Sequence, residues 1–313
     1  MGGSIVNYVD LLLPHQVVAE SLPFIVRKMN IMKQLLYKLL GEKYSRLAIS
    51  YRQAQTYCYS VLHPYHYDAS RYAETFLEEP CDFPYSDDFS TPVDRVIYIF
   101  WTGDNEITPN RLEGIKSLER VSGIEVKLIT PKNLSEYIKN EDPLPEAYKY
   151  LSFVHRADYL RSYFMYHYGG GYADIKTYFH SWVTAFDNLD NSDAYIMGYP
   201  EVGFWGAAYH DIDESFLRNE LWTHWRYLVG NGAYICRSHT RLTAEWHSEA
   251  KRRLLRMSEE LCNHPATDPY GKNVDYPVKW SGLLGSIFHP LCLKYKDRLL
   301  SDKALMPSFE NYR

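Results

Sequence analysis

Along residues 94–178 the apolar positions change period several times, and each change marks an element. Val96-Ile97-Tyr98-Ile99-Phe100-Trp101 is an unbroken apolar run bounded by Pro92 and Thr102-Gly103-Asp104. Such a run predicts a strand buried on both faces of a parallel sheet. Thr108-Pro109 then opens a helix, with Thr as cap and Pro at the first helical position, expected to reach Val121 and stop at Gly123. Residues 125–130 alternate and predict a second strand, which completes a βαβ unit. Asn133 is expected to cap a short helix to Lys139. A longer helix is expected over 154–168, with Ala157, Leu160, Phe164 and Tyr168 on one face and Asp158, Arg161 and Met165 on the next. Gly169 suits a left-handed helix end. Further strands are expected at 172–175, 195–198 and 233–236, a long helix at 241–262, and mixed loop and helix at 281–295. Strands alternating with helices give an α/β fold with a mostly parallel sheet flanked by helices.

The pattern is different before residue 90. Residues 1–90 read as an N-terminal extension, helical to about Ser60 and then a connector rich in Pro, Asp, Ser and Tyr; the main domain is expected over 91–313. Residues 25–44 are basic and amphipathic. One reading packs their apolar stripe on the domain, and the other gives a peripheral membrane contact. The most apolar N-terminal stretch, 11–26, is broken by Pro14, His15, Gln16, Glu20 and Pro23. It falls short of the roughly 20 apolar residues of a spanning helix. The N-terminus also lacks the basic region and cleavage site of a signal peptide, so a cytoplasmic location is expected.

A net charge of -5 argues against a general nucleic-acid binder, which needs a basic face. The five cysteines are odd in number and widely spaced, which argues against a disulfide framework and a cysteine zinc site and for a reducing compartment. The 29 Tyr, 13 Phe and 7 Trp could stack on sugar rings or bases, or simply fill surfaces that have one wet end.

Five places carry candidate chemistry. Asp158 and Arg161, three residues apart, face the same way on the 154–168 helix. They form either a surface salt bridge or, because that helix is aromatic on its other faces, a buried functional pair. Gly169-Gly170-Gly171 exceeds what a helix stop needs and suggests close backbone approach by another segment or a ligand. Asp174 and Lys176 would share a face at the C-terminal end of a strand, where open α/β sheets bind ligands. Trp101 ends the first strand at the same edge, and Trp280-Ser281-Gly282 reads as a loop that either closes over a ligand or packs.

Together these pieces resemble the DXD-type sugar-binding region of family 32 glycosyltransferases, capsule-synthesis enzymes and glucosylating toxins. Those families show an apolar strand ending in Trp-x-Gly, then Asp-x-x-Arg on a helix, then Gly-Gly-x-Tyr-x-Asp-x-Asp. The corresponding residues are Trp101-Thr102-Gly103, Asp158-Tyr159-Leu160-Arg161 and Gly170-Gly171-Tyr172-Ala173-Asp174-Ile175-Lys176. The resemblance covers 94–178, extends loosely to Asn231 and to Trp280-Ser281, and leaves 1–90 aside. It implies a GT-A fold, a UDP- or GDP-linked sugar donor, and transfer to a hydroxyl of a glycan or other acceptor, as in polysaccharide biosynthesis, with retained configuration. By position, Trp101 with Thr102 and Gly103 would meet the base. Asp158 and Arg161 would hold the sugar and phosphate, with Gly170, Gly171 and Tyr172 alongside. Asp174 would contact hydroxyls, Asn231 would line the sugar pocket, and Trp280 and Ser281 would close over the diphosphate. Asp174, Lys176 and Arg161 would carry catalysis.

One position departs from the family. The second Asp, the usual ligand of a divalent manganese or magnesium ion, is Lys176 here. Either the ammonium takes over stabilisation of the leaving diphosphate or Asp174 holds a metal weakly. A non-catalytic nucleotide-sugar binder and a sugar-phosphate transferase are the alternatives on the same scaffold. His155, one turn before Arg161, is either a participant or structural.

Overall fold

The computed structural model describes residues 42–310. The reading of residues 25–44 therefore falls almost wholly outside the described residues. The described chain divides into two compact units, one of residues 42–65 with Trp222–His224 and the other of residues 66–221 and 225–310. In the first, α1 (Glu42–Leu62) places the Arg52 guanidinium 5.5 Å from the Trp222 ring centroid.

The second unit is built on a six-stranded sheet: β1 (Val96–Phe100), β2 (Glu125–Ile129), β3 (Gly170–Ala173), β4 (Ile196–Pro200), β5 (Val229–Cys236) and β6 (Leu299–Ser301). Their spatial order is β2-β1-β3-β5-β4-β6, and β5 alone runs against the others. This is a mixed α/β, mostly parallel arrangement consistent with a GT-A-like fold. Every residue of β1 is buried, as its unbroken apolar run requires.

The helices of this unit are α2 (Pro109–Val121), α3 (Phe153–His167), α4 (Val183–Asp190), α5 (Ser215–Thr223), α6 (Arg241–Arg256), α7 (Ser258–Asn263) and α8 (Gly285–Lys294). The end of α5, at Trp222, belongs to the first unit. One face of the sheet packs Ile97, Ile99, Met197 and Ile235 with Trp182 and Phe186. On the other, Tyr98 and Phe100 meet Phe164 of α3, and Tyr234 meets Trp246 of α6 and Phe288 of α8.

Several boundaries differ from the sequence reading. The short helix expected to Lys139 is a single 3-10 turn, Leu134–Tyr137. Asn133 makes no side-chain cap there; its Oδ1 accepts from Thr130 N–H at 2.7 Å and closes the turn after β2. The helix expected over 241–262 breaks at Met257 into α6 and α7. Strand β3 begins at Gly170 and ends before Asp174, so it is displaced two residues from the expected span. Gly169 and Gly170 adopt φ of 65° and 77°, as a left-handed helix end requires. Residues 66–90 are packed into the main unit, with Tyr72 and Leu77 buried.

Candidate functional site

The C-terminal ends of the five co-oriented strands and the start of β5 share one edge of the sheet. Asp174 is the first residue past β3, and its N–H still donates to Gly232 O at 2.7 Å, which continues the β3–β5 ladder by one step. That bond fixes the carboxylate at the edge. Its Oδ1 accepts from Tyr172 OH at 2.7 Å and from Arg161 Nη2 at 3.1 Å, and its Oδ2 accepts from Lys176 Nζ at 2.8 Å.

Arg161 comes from the middle of α3, whose N-terminus is capped by Ser152 accepting from His155 N–H. Its Nη1 donates to Asn231 O at 3.0 Å, and its guanidinium lies 4.4 Å from the Tyr172 ring centroid. Asp158, one turn earlier, has Oδ1 3.5 Å from Arg161 Nη2. Helix α2 backs the segment after β3 closely: a Cβ on Gly114 would lie 3.0 Å from Lys176 O, tighter than an ordinary side-chain contact.

Asp158 and Arg161 are 4% and 9% exposed, which excludes the surface salt-bridge reading. Burial pushes the Asp158 carboxyl up, and Arg161 only partly offsets it. Burial also raises the Asp174 carboxyl, but Lys176 and Arg161 outweigh it and hold the group below the usual range. Two nearby carboxyls pushed in opposite directions are a feature of functional sites. Here the result biases the cluster toward positive potential, because Asp158 resists losing its proton beside Arg161, whose guanidinium, against the effect of burial, is shifted further toward its charged form by Tyr172 and Asp174. The Asn231 Oδ1 and Arg161 Nε are buried with no hydrogen-bond partner among the described residues, so the site offers one acceptor and one donor to a ligand.

The remaining sequence candidates take various positions. Trp101 is half-buried against the core, and its indole N–H donates to Asn105 O at 2.8 Å. Thr102 donates to Phe153 O at 2.6 Å, and a Cβ on Gly103 would meet the Phe153 ring at 2.6 Å, so this turn is seated on the start of α3. Gly170 and Gly171 are not brought to the charged cluster. They lie at the start of β3, where added Cβ atoms would meet Val96 O at 2.9 Å and Ile97 Cγ1 at 3.0 Å. The close approach they permit is thus by another chain segment.

Trp280 is 60% exposed. Ser281 spends its N–H and hydroxyl on Asp211 Oδ2, at 2.6 and 2.7 Å. His155 docks this segment, with Nδ1 2.9 Å from Tyr276 OH and Nε2 3.3 Å from Trp280 O.

Two features of this edge escaped the sequence reading. Phe309 lies 4.9 Å from Lys176 Nζ at its ring centroid, and Ser308 N–H donates to Thr177 O at 2.8 Å. Glu201 follows β4 directly. Its Oε1 accepts from Val202 N–H at 2.8 Å and would lie 2.0 Å from a Cβ on Gly206. Its neighbour His289 donates Nε2–H to Val229 O instead, and burial lowers that imidazole to about 4. With no cation to offset burial, the Glu201 carboxyl is pushed up to about 7.

Between the ordinary glutamate pKa of ~4.3 and that value, the folded chain keeps a proton that the unfolded chain has released, so this group costs stability as pH rises through the window. Glu201→Gln is expected to stabilise the protein by on the order of 1–3 kcal/mol at pH 8 and by little near pH 4.5. Urea denaturation at both pH values checks this, and equal effects at both would contradict it.

Residues 88–191 match the family model described as a glycosyltransferase sugar-binding region containing a DXD motif. This stretch is similar to DXD-type sugar-binding regions. It runs from just before β1 to the end of α4 and contains Trp101, Asp158, Arg161, Asp174 and Lys176. No curated protein and no solved structure matches the chain. No described helix is long and apolar enough to cross a membrane.

Regions of this class usually bind a divalent cation. In this sugar-binding region Asp174 aims Oδ2 at the Lys176 ammonium, and Oδ1 already accepts two bonds. A cation at Asp174 would have to displace a positive group already there, and the second acidic ligand is missing. These residues do not fit a divalent ion. Elsewhere Asp142, His167 and His247 form a buried group of metal-ligating type. Both imidazole Nε2 atoms meet Asp142 Oδ2 at hydrogen-bond distances, 2.8 and 2.7 Å, and the Lys251 ammonium pairs with Oδ1. That cluster reads as a hydrogen-bonded tie between residue 142, α3 and α6.

Proposed function

We propose that the protein is a glycosyltransferase that moves a sugar from a UDP- or GDP-linked donor to a hydroxyl, and that its Lys176 ammonium supplies the charge a metal supplies in its relatives. The observation that carries this reading is the Lys176–Asp174–Arg161 chain, at 2.8 and 3.1 Å, at the sheet edge within the sugar-binding region. A diphosphate gains negative charge as it leaves, and fixed cations aimed at it lower the barrier.

In this proposal Arg161 and Lys176 meet the diphosphate, and Asp174 orients both. Asp158 and the unsatisfied Asn231 Oδ1 take sugar hydroxyls, and the exposed Trp280 closes from the side. In a retaining course the bond from the anomeric carbon to the phosphate oxygen breaks. The acceptor oxygen bonds to that carbon on the same face, and its proton passes to the departing phosphate. No protein base is then required. The donor domain would be 91–313, with residues 66–90 packed on it, in a cytoplasmic protein.

The test is incubation with a panel of nucleotide sugars, with manganese and with chelator, with products identified by mass. Release of nucleoside diphosphate and free or transferred sugar that persists in chelator is expected. Ligand-induced thermal stabilisation without turnover would mark a binder instead. Full dependence on the metal would remove Lys176 from the proposed role.

A further inference from the structure

We infer that a cavity of about 410 Å³ beside the 279–282 loop is the acceptor subsite and that it takes a neutral or amine-bearing saccharide. The inference rests on the glycosyl-transfer reading, because it assigns the other substrate of the same reaction. The volume lies within the range of sites for small molecules.

The cavity is linked to the charged cluster through the segment that lines it, at Gly282 and Ser286. Asp211 lines it and also receives both hydrogen bonds from Ser281. A Cβ on Gly285 would meet Asn231 Nδ2 at 3.1 Å and Ser281 Cβ at 3.4 Å. Gly285, beside the lining residue Ser286, is therefore packed close to Asn231, whose main-chain carbonyl holds Arg161.

The lining has a saccharide's chemistry. Carboxylates of Glu74, Glu79, Asp211, Asp213, Glu214 and Glu249 line it with Arg253, Arg256 and Lys279, and Arg252 pairs with Glu79 from outside at 2.6 Å, which leaves an excess of two negative charges that disfavours phosphorylated or uronate ligands. Glu249 is 2% exposed and held by Arg253 at 2.6 Å and Arg256 at 3.1 Å, so it is a fixed floor. Arg253 also donates to Gly282 O at 2.9 Å and Ser286 Oγ at 2.7 Å, which ties that floor to the loop.

Lys279 neutralises Asp213. Glu74 and Glu214 have no ion-pair partner among the described residues, so their oxygens are available to hydroxyls or an ammonium. Phe76, Leu217, Met257 and Val278 supply the apolar surface that the C–H face of a pyranose needs.

The test places the full chain on an array of neutral, amine-bearing, phosphorylated and uronate-bearing oligosaccharides. The strongest neutral binder is then titrated calorimetrically into wild type and into the Glu74→Gln/Glu214→Gln double variant, whose exposed sites leave the fold intact by Tm. Neutral or amine-bearing saccharides should be retained, and the double variant should bind about tenfold more weakly or worse. Retention of no saccharide, preference for anionic ones, or equal binding by the variant overturns the assignment. Saccharide binding without any donor hydrolysis by wild type supports the cavity and overturns the transfer reading.

Discussion

Asp174→Asn is expected to reduce sugar transfer by about 10³-fold while the protein stays folded. The reason lies in what this carboxylate holds. Arg161 and Lys176 approach it from opposite oxygens, at 3.1 and 2.8 Å, and Tyr172 OH adds a third bond at 2.7 Å. Asparagine keeps the shape but offers one acceptor oxygen and no charge, so one cation loses its partner and its aim. The loss should appear in kcat, because the cations are proposed to act most strongly on the departing diphosphate. Asp174→Ala should be more damaging, since it leaves two neighbouring positive groups without a counter-charge, and its Tm must be followed beside its activity. Normal transfer by folded Asp174→Asn would remove Asp174 from the site.

Lys176→Met is expected to lower kcat by about 10²–10³-fold, the loss typical of removing one preorganised group that stabilises developing charge. Methionine keeps much of the side-chain volume beside Phe309, so the packing seen at 4.9 Å is largely preserved and the change is mainly electrostatic. Lys176→Asp is the informative companion. It restores the Asp-x-Asp spacing at 174 and 176, and its residual activity should rise with added manganese and vanish with chelator. Wild type should respond to neither. A Lys176→Met enzyme with wild-type kcat would show that the ammonium is a structural partner of Asp174 alone.

The parts of this site that lie close in sequence were legible in the chain. The Asp158–Arg161 spacing put both heads on one side of a helix, and Asp174 and Lys176 do meet at a sheet edge. The apolar run at 96–101 became the fully buried β1, and Thr108-Pro109 opened α2 at the expected residue.

Contacts across long sequence distances were not legible. The Arg161 bond to Asn231 O spans 70 residues. Strand β5 begins at Val229, before the expected start at 233, and takes in Gly230, Asn231 and Gly232. Those glycines belong to the strand because Tyr199 occupies the space, and a Cβ on Gly230 would lie 2.0 Å from its ring. Nor does a two-residue period encode strand direction, so the reversal of β5 was invisible. Glu201 sits in Pro200-Glu201-Val202-Gly203, which reads as an ordinary polar loop; only the three-dimensional burial under Gly206 and α8 sets it apart.

The most direct measurement is a calorimetric titration of UDP- and GDP-sugars in chelator, into wild type and into Lys176→Met. Saturable binding by wild type without metal, weakened about tenfold or more in the variant, is the expected result. Binding that appears only when manganese is added, or that is indifferent to Lys176, would contradict it.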